Sequence, residues 1–502
     1  MTEWMSDISI GIIHALNVWV FLAALIGVII GTLIGVLPGL GPPVAISLAI
    51  PLTFGFDPLI GMSVMLGIYK GGTYGGSISA ILINTPGTPA ASATVLDGYP
   101  LAQQGKAGKA LDIALYASVF GDAFSILLLC VIAQPIAAVA SKFGPIELFS
   151  LLLFAMTVIA GLAGKSMVKG LIGAGFGLAL SLIGLDPVEG LPRFTYGIDS
   201  LEAGLNAIPI IVGLFAIAEQ MQQVAERARV NECMEEEPKS LDPGDDHATW
   251  KDVKSVLPIF FSGSLIGASI GALPGTGAAA AAFMNYGLAK KRSKNPELFG
   301  KGSLEGVAAA ESANNAVCGG ALVPMLTLGI PGDVVTAILM GALMLHGINT
   351  GPSVFVEHRA FVFTLFGMLL VSVFMLLFVG KIACNACRRL ACLPNYYIFP
   401  VVLLLCVAGS YALSFSMFDV WVMLAFGVLG FFLNYMGIPL PPFIIAFILA
   451  PKMEQSLRQG LIISGGDLSV LITHPLSAFF LILTVFTIIK IVLGARKKTS
   501  TI

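Results

Sequence analysis

Apolar residues in this chain fall in long unbroken runs rather than in alternation, with residues 20–36, 361–379 and 477–493 the clearest examples. Each run is near or past the ~18 residues that cross a bilayer as a helix. A membrane barrel would show ~10-residue alternating segments instead. The pattern therefore predicts an all-α polytopic membrane protein with about 11–13 membrane segments. Residues 1–14, ahead of the first run, carry Glu3 and Asp7 but no Lys or Arg. A secretory signal needs a basic leading region, so this run is expected to stay as the first helix, with no soluble domain ahead of it.

Polar interruptions orient the spans. Lys and Arg concentrate in residues 97–111, 164–169, 220–254, 288–302, 381–392 and the tail from Arg496, which the positive-inside rule places in the cytoplasm. Residues 186–204 carry Asp186, Glu189, Asp199 and Glu202 against a lone Arg193 and are expected outside. The N-terminus then lies outside and the C-terminus inside. The longest hydrophilic stretch, 220–254, holds Glu235 to Glu237 and the turn-rich Asp242-Pro-Gly-Asp-Asp246. It reads as a cytoplasmic linker between a first membrane repeat, 1–219, and a second, 255–502.

What lies on either side of that linker repeats. Gly31, Gly35, Pro38, Gly39 and Gly41 match Gly267, Gly271, Pro274, Gly275 and Gly277 at one constant offset. Further on, Gly75-Gly76 leads to Pro86-Gly87, and Gly319-Gly320 leads to Pro331-Gly332. The loop charges give the two copies opposite directions, so the repeats are expected to be inverted. Inverted repeats with Gly/Pro breaks at matching places point to a secondary transporter whose site lies at the repeat interface near the bilayer midplane, with re-entrant hairpins supplying it.

The chemistry-bearing segments lie at those breaks. The stretch 69–89 holds five glycines, two prolines and several hydroxyls between apolar spans, and irregular backbone at that depth is tolerated only when buried in protein or lining a cavity. Asn84-Thr85-Pro86-Gly87 reads as the tip of a helical hairpin, with Pro86 stopping the helix and Gly87 permitting the turn. Freed N–H groups there favour an anion and freed carbonyls favour Na⁺. Ser77, Asn84 and Thr85 add side-chain ligands. The alternative is a bend that packs helices without touching substrate. In the second copy, Glu311, Asn314 and Asn315 precede the tip Pro331-Gly332-Asp333. An acid and two amides in an apolar region are expensive without partners or ligands. Asp333 either coordinates a cation or caps the next half-helix, and Glu311 either serves the site or bridges to the basic 288–302 loop. Asn84, Asn314 and Asp333 are the candidate Na⁺ ligands. Gly39, Gly41, Gly275 and Gly277 mark a second symmetric pair of breaks with exposed carbonyls and amides. Lys70 either meets an anionic substrate or snorkels to an interface.

Composition narrows the function further. Of 502 residues, 57% are hydrophobic and 11% charged, against ~25% charged in soluble domains. The net charge of -2, without a sustained basic stripe, argues against nucleic-acid binding. Of the seven cysteines, Cys384, Cys387 and Cys392 crowd together, but no nearby His completes a metal site, so they read as free thiols in a reducing loop. His14, His247, His346, His358 and His474 show no metal or proteolytic spacing, and no paired acids suit an intramembrane enzyme. No transition metal or cofactor is expected.

Leu37-Pro-Gly-Leu-Gly-Pro42, Tyr74-Gly-Gly-Ser77, Asn84-Thr-Pro-Gly87, Asp97-Gly-Tyr-Pro-Leu-Ala102, Glu311-Ser-Ala-Asn-Asn315, Leu328-Gly-Ile-Pro-Gly332 and His346-Gly together resemble the large membrane subunit of tripartite tricarboxylate transporters, the TctA family. The likeness covers almost the whole chain in order. It implies a bacterial inner-membrane importer of di- or tricarboxylate anions, driven by a Na⁺ or H⁺ gradient, without an ATPase. Its implied partners are a small four-helix membrane subunit and a periplasmic solute-binding protein, and its alternating access resembles an elevator. In the family the residue after the first Pro-Gly is often acidic and that after the second is Ser or Thr. This chain has Thr88 and Asp333 there, which leaves the identity of the anion open. An ion-coupled antiporter or exchanger working without a binding protein uses similar repeats and is the alternative.

Overall fold

The computed structural model describes residues 2–37, 40–162, 166–186, 189–230, 246–391 and 395–499. It is helical almost throughout, with one two-stranded antiparallel ribbon pairing Gly184–Leu185 with Pro192–Arg193. Among the described residues, six helices are long and apolar enough to cross a membrane, among them Val18–Val36, Ala107–Ala140 and Trp250–Gly271. Many large apolar side chains on their outer faces are exposed, such as Phe374, Phe378 and Trp421. Such surfaces suit a lipid environment and not water, and the chain is a multi-pass membrane protein.

The centre is built from two similar units. In the first, Val18–Val36 packs along Pro58–Ile83 with Gly27 by Val64, Gly31 by Ile68 and Gly35 by Gly72, so the two helices run parallel. Small residues are what let these backbones touch where no water-driven hydrophobic gain operates. Pro42–Thr53, between them in sequence, returns the other way, with Pro42 by Gly72 and Thr53 by Gly61. In the second unit Trp250–Gly271 runs parallel to Leu304–Leu328, with Gly267 by Ala313 and Gly271 by Val317. Gly277–Arg292 folds back along it, where Ser262 and Asn285 meet at 3.3 Å. Residues Pro38 and Gly39 of the first break, and 231–245 of the linker, lie outside the described residues.

Both long central helices stop in the same way. Pro58–Ile83 ends on Asn84 at φ 57, and Leu304–Leu328 ends on Gly329 at φ 69, the left-handed cap that Gly and Asn tolerate best. The chain then steps back. The Gly87 N–H bonds the Gly76 carbonyl at 3.2 Å, and Gly332 packs on Ala321, each contact eleven residues upstream. Each step-back glycine also abuts its own unit's preceding helix, Gly87 at Gly35 and Gly332 at Gly271. These are the very positions the sequence offset pairs. The expected helical hairpin at 84–87 takes a different form. Ser92–Gln103 resumes the heading of Pro58–Ile83, because both run antiparallel to Leu304–Leu328: Thr73 faces Cys318, Thr94 faces Glu311 and Asp97 sits at Gly306.

The basic loops converge at one end. Asp97 Oδ1 accepts from the backbone N–H groups of Gly300, Gly302 and Ser303 at 2.8–2.9 Å, and Oδ2 from the Tyr286 hydroxyl at 2.8 Å. Lys109 pairs with Asp252 at 3.2 Å, and Asp112 meets Lys381 at 2.8 Å and His247 at 3.0 Å. Four segments of the chain thus share one face. The 184–204 region is held separately, by Arg193 to Glu454 at 2.8 Å and Arg458 to Asp186 at 2.9 Å.

Candidate functional site

Where Pro58–Ile83, Ala107–Ala140 and Leu304–Leu328 meet, a seam of polar side chains runs through the apolar interior. From the first helix come Tyr69, Lys70, Thr73 and Ser77, one face at helical spacing, and all are buried. Leu304–Leu328 contributes Glu311, Asn314, Asn315 and Cys318, and Ala107–Ala140 contributes Ser118 and Asp122. Polar groups in such a place cost several kcal/mol each unless partnered, so each partner matters.

At one end Tyr69 donates its hydroxyl to Asp333 Oδ2 at 2.6 Å. Asp333 also caps Val334–Leu345: its Oδ1 accepts the Thr336 N–H at 2.8 Å, while its own N–H donates to the Thr336 hydroxyl at 2.9 Å. Both of the capping and ligand alternatives for Asp333 thus meet a carboxylate already engaged at the cap. In the middle Lys70 Nζ lies 2.9 Å from Asp122 Oδ2 and donates to the Leu369 carbonyl at 2.6 Å. Lys70 does not snorkel; it is 2% exposed, because a facing acid and a carbonyl take up its charge inside the protein.

The other end is centred on Glu311. The Thr94 hydroxyl bonds its Oε1, the Ser118 hydroxyl donates to Oε2 at 3.1 Å, and Asn315 Nδ2 reaches Ser118 Oγ at 2.8 Å and Glu311 Oε2 at 3.4 Å. Ser77 and Asn314 face the same carboxyl group, without the geometry of a formed hydrogen bond. Glu311 makes no bridge to the basic 288–302 loop; it lies about two helical turns inside its helix, which begins at Leu304.

The glycine breaks stand beside the step-back segments. The Gly275 N–H bonds the Gly332 carbonyl at 2.9 Å, and Gly41 lies against Thr88 and the Gly87 carbonyl. Pro331 and Gly332 are buried, Pro86 is half-buried, Gly277 takes φ 72, and Gly39 lies outside the described residues. Asn84 is exposed, and the Thr85 hydroxyl turns back to the Ile83 carbonyl at 3.2 Å. The structure therefore gathers Ser77, Asn314, Asn315 and, at the far end, Asp333 along the seam, and leaves the side chains of Asn84 and Thr85 away from it. The side chains of Cys384, Cys387 and Cys392 lie outside the described residues.

Sequence reasoning missed Asp122, Ser118 and Thr94. A signal existed for the first: an acid deep within the apolar Ala107–Ala140 run is expensive and demands a partner. Hydroxyls carry no such signal, since Ser and Thr bond their own helix carbonyls in many spans.

Comparison with known proteins shows the family. The model of the tripartite tricarboxylate transporter TctA family matches residues 21–445. An uncharacterized 52.8 kDa protein from the TAR-I ttuC' 3' region of Agrobacterium vitis is 35% identical over 488 residues, covering 96% of this chain and 95% of that protein. A second uncharacterized protein, from the TAR-II ttuC' 3' region of the same organism, is 35% identical over 215 residues, covering 43% of this chain and 89% of its own length. No solved structure matches. On the extent of the family match and of the first relative, the chain belongs to the tripartite tricarboxylate transporter TctA family.

Proposed function

We propose that the chain is the large membrane subunit of a binding-protein-dependent secondary transporter that imports an organic di- or tricarboxylate into a bacterial cell, driven by a Na⁺ or H⁺ gradient. Its partners are a periplasmic solute-binding protein and a small four-helix membrane subunit, and it sits in the inner membrane with the N-terminus outside and the C-terminus inside. The two central units are inverted repeats. Residues 18–53 and 250–292 form re-entrant hairpins entering from opposite faces, and transport proceeds by an elevator movement of the hairpin-bearing part.

The observation that carries this reading is the antiparallel crossing of Pro58–Ile83 and Leu304–Leu328 at a buried polar seam, each helix flanked by the same glycine contact to a parallel neighbour. Discontinuous helices from two repeats meeting at a polar centre are the construction secondary transporters use. Convergence of the basic loops at one face supports the orientation under the positive-inside rule. The substrate anion is drawn to the step-back segments 84–88 and 329–333, which lead into the helix starts at Ser92 and Val334.

Reconstitution tests it. In proteoliposomes the chain alone should transport a carboxylate poorly. Adding the small subunit and the loaded binding protein should restore uptake that collapses with the ion gradient. Full flux by the chain alone would support an exchanger working without a binding protein and would reject the tripartite reading.

A further inference from the structure

Glu311 is fully buried about two turns into Leu304–Leu328. Among the described residues no Lys, Arg or His forms an ion pair with it; the cation of the seam, Lys70, is taken by Asp122. What surrounds the carboxyl group is neutral: the hydroxyls of Thr94 and Ser118, the Asn315 amide, and Ser77 and Asn314. Several polar atoms around it have no partner at all. Ser77 Oγ, both amide atoms of Asn314 and Asn315 Oδ1 are buried and make no hydrogen bond. Buried polar groups are nearly always satisfied, and three unpaired oxygens, Ser77 Oγ, Asn314 Oδ1 and Asn315 Oδ1, beside a carboxylate with no ion-pair partner call for a common explanation.

A proton on Glu311 removes the charge but gives only one donor, which satisfies one acceptor and leaves the others. A divalent ion would replace one buried negative charge with a buried positive one. A small monovalent cation answers both requirements: it neutralises one carboxylate and takes several neutral oxygens at once, as hard cations do. We infer that Glu311 is the ligand centre of a Na⁺ site completed by the oxygens of Ser77, Thr94, Ser118, Asn314 and Asn315. The site joins both repeats, since Ser77 and Thr94 belong to the first and Glu311, Asn314 and Asn315 to the second. Thr94 lies just beyond the 84–88 step-back, so an occupied site ties that segment to the opposite repeat. The role of the ion as coupling ion rests on the transport reading; its binding does not.

The test measures Na⁺ binding by the purified full chain in lipid nanodiscs, with choline replacing Na⁺ at constant ionic strength. Radiolabelled Na⁺ should bind saturably, and Na⁺ should raise the thermal unfolding midpoint. Glu311→Gln should weaken binding by at least about tenfold, because a charged ligand interaction is lost. Asn314→Ala serves as the second variant. The amide gives up no hydrogen bond in the protein, so the variant should fold with an unchanged midpoint in choline and yet bind Na⁺ about tenfold more weakly. Wild-type Na⁺ affinity in Asn314→Ala would overturn the site, whether or not Glu311→Gln folds. So would a midpoint that follows pH in choline and ignores Na⁺, the signature of a proton site. Carboxylate uptake by the complete tripartite system with no Na⁺ binding would sink this inference alone, and Na⁺ binding without partner-dependent uptake would sink the transport reading alone.

Discussion

Lys70 and Asp122 are 2% and 1% exposed and face each other across two helices at 2.9 Å. Neither charge has water to fall back on, so removing one partner strands the other. Asp122→Ala should lower stability by about 3–5 kcal/mol, the cost of an uncompensated buried charge. The double change Lys70→Met with Asp122→Leu should cost much less than the two single changes together, since it strands nothing. Thermal unfolding of the four proteins in one detergent checks this. Additive losses would mean that the pair is not coupled and that the Leu369 carbonyl alone holds Lys70.

At the scale of elements, the step-back segments depend on contacts that leave no room for a side chain. A methyl group on Gly87 would collide with the Gly35 carbonyl, whereas one on Gly41 would meet Pro43 at 3.6 Å, Thr88 at 3.8 Å and the Gly87 carbonyl at 3.9 Å, all ordinary contacts. Gly87→Ala should therefore destabilise the protein by about 1–3 kcal/mol, as overpacking does, and Gly41→Ala should be close to silent. Melting curves of the two variants decide it, and equal midpoints would show that the 84–88 segment relaxes freely. By the pairing of Gly87 with Gly35 and of Gly332 with Gly271, Gly332 should behave as Gly87 does. The αL caps at Asn84 and Gly329 do related work, because Asn and Gly turn the chain out of each helix at the lowest steric cost of any residues.

For the whole molecule, the loop charges and the ion pairs make one joint statement about topology. Single cysteines at Gln103 and Lys294, in a background freed of reactive native thiols, should label only from the cytoplasm. Cysteines at Tyr196 and Val356, both strongly exposed, should label from the periplasm. Labelling of Gln103→Cys and Val356→Cys from one side would overturn the inverted arrangement. The Asp97 knot with residues 300–303 and the Lys109–Asp252 pair tie the two central units together at the predicted cytoplasmic end. On the elevator reading proposed above, the moving part would carry these loops with it.

Helical class, membrane location, the duplication and the basic loops were all legible along the chain, because each is a local property: run length, charge count, or Gly and Pro at fixed offsets. Family membership followed from the same short motifs. What the sequence could not decide was which polar residues meet. Lys70 and Asp122 are neighbours only because Pro58–Ile83 and Ala107–Ala140 cross there, and Glu311 finds Thr94 and Ser118 only across three helices. Asn84, exposed, and Thr85, bonded back to the Ile83 carbonyl, take no part in the seam although their residue types looked most like ligands, while the heading of Ser92–Gln103 turned an expected hairpin into a step. Periodicity fixes the face of each helix on which a residue lies. Which faces come together depends on how closely glycine-bearing backbones can approach, and that is a property of the packed molecule.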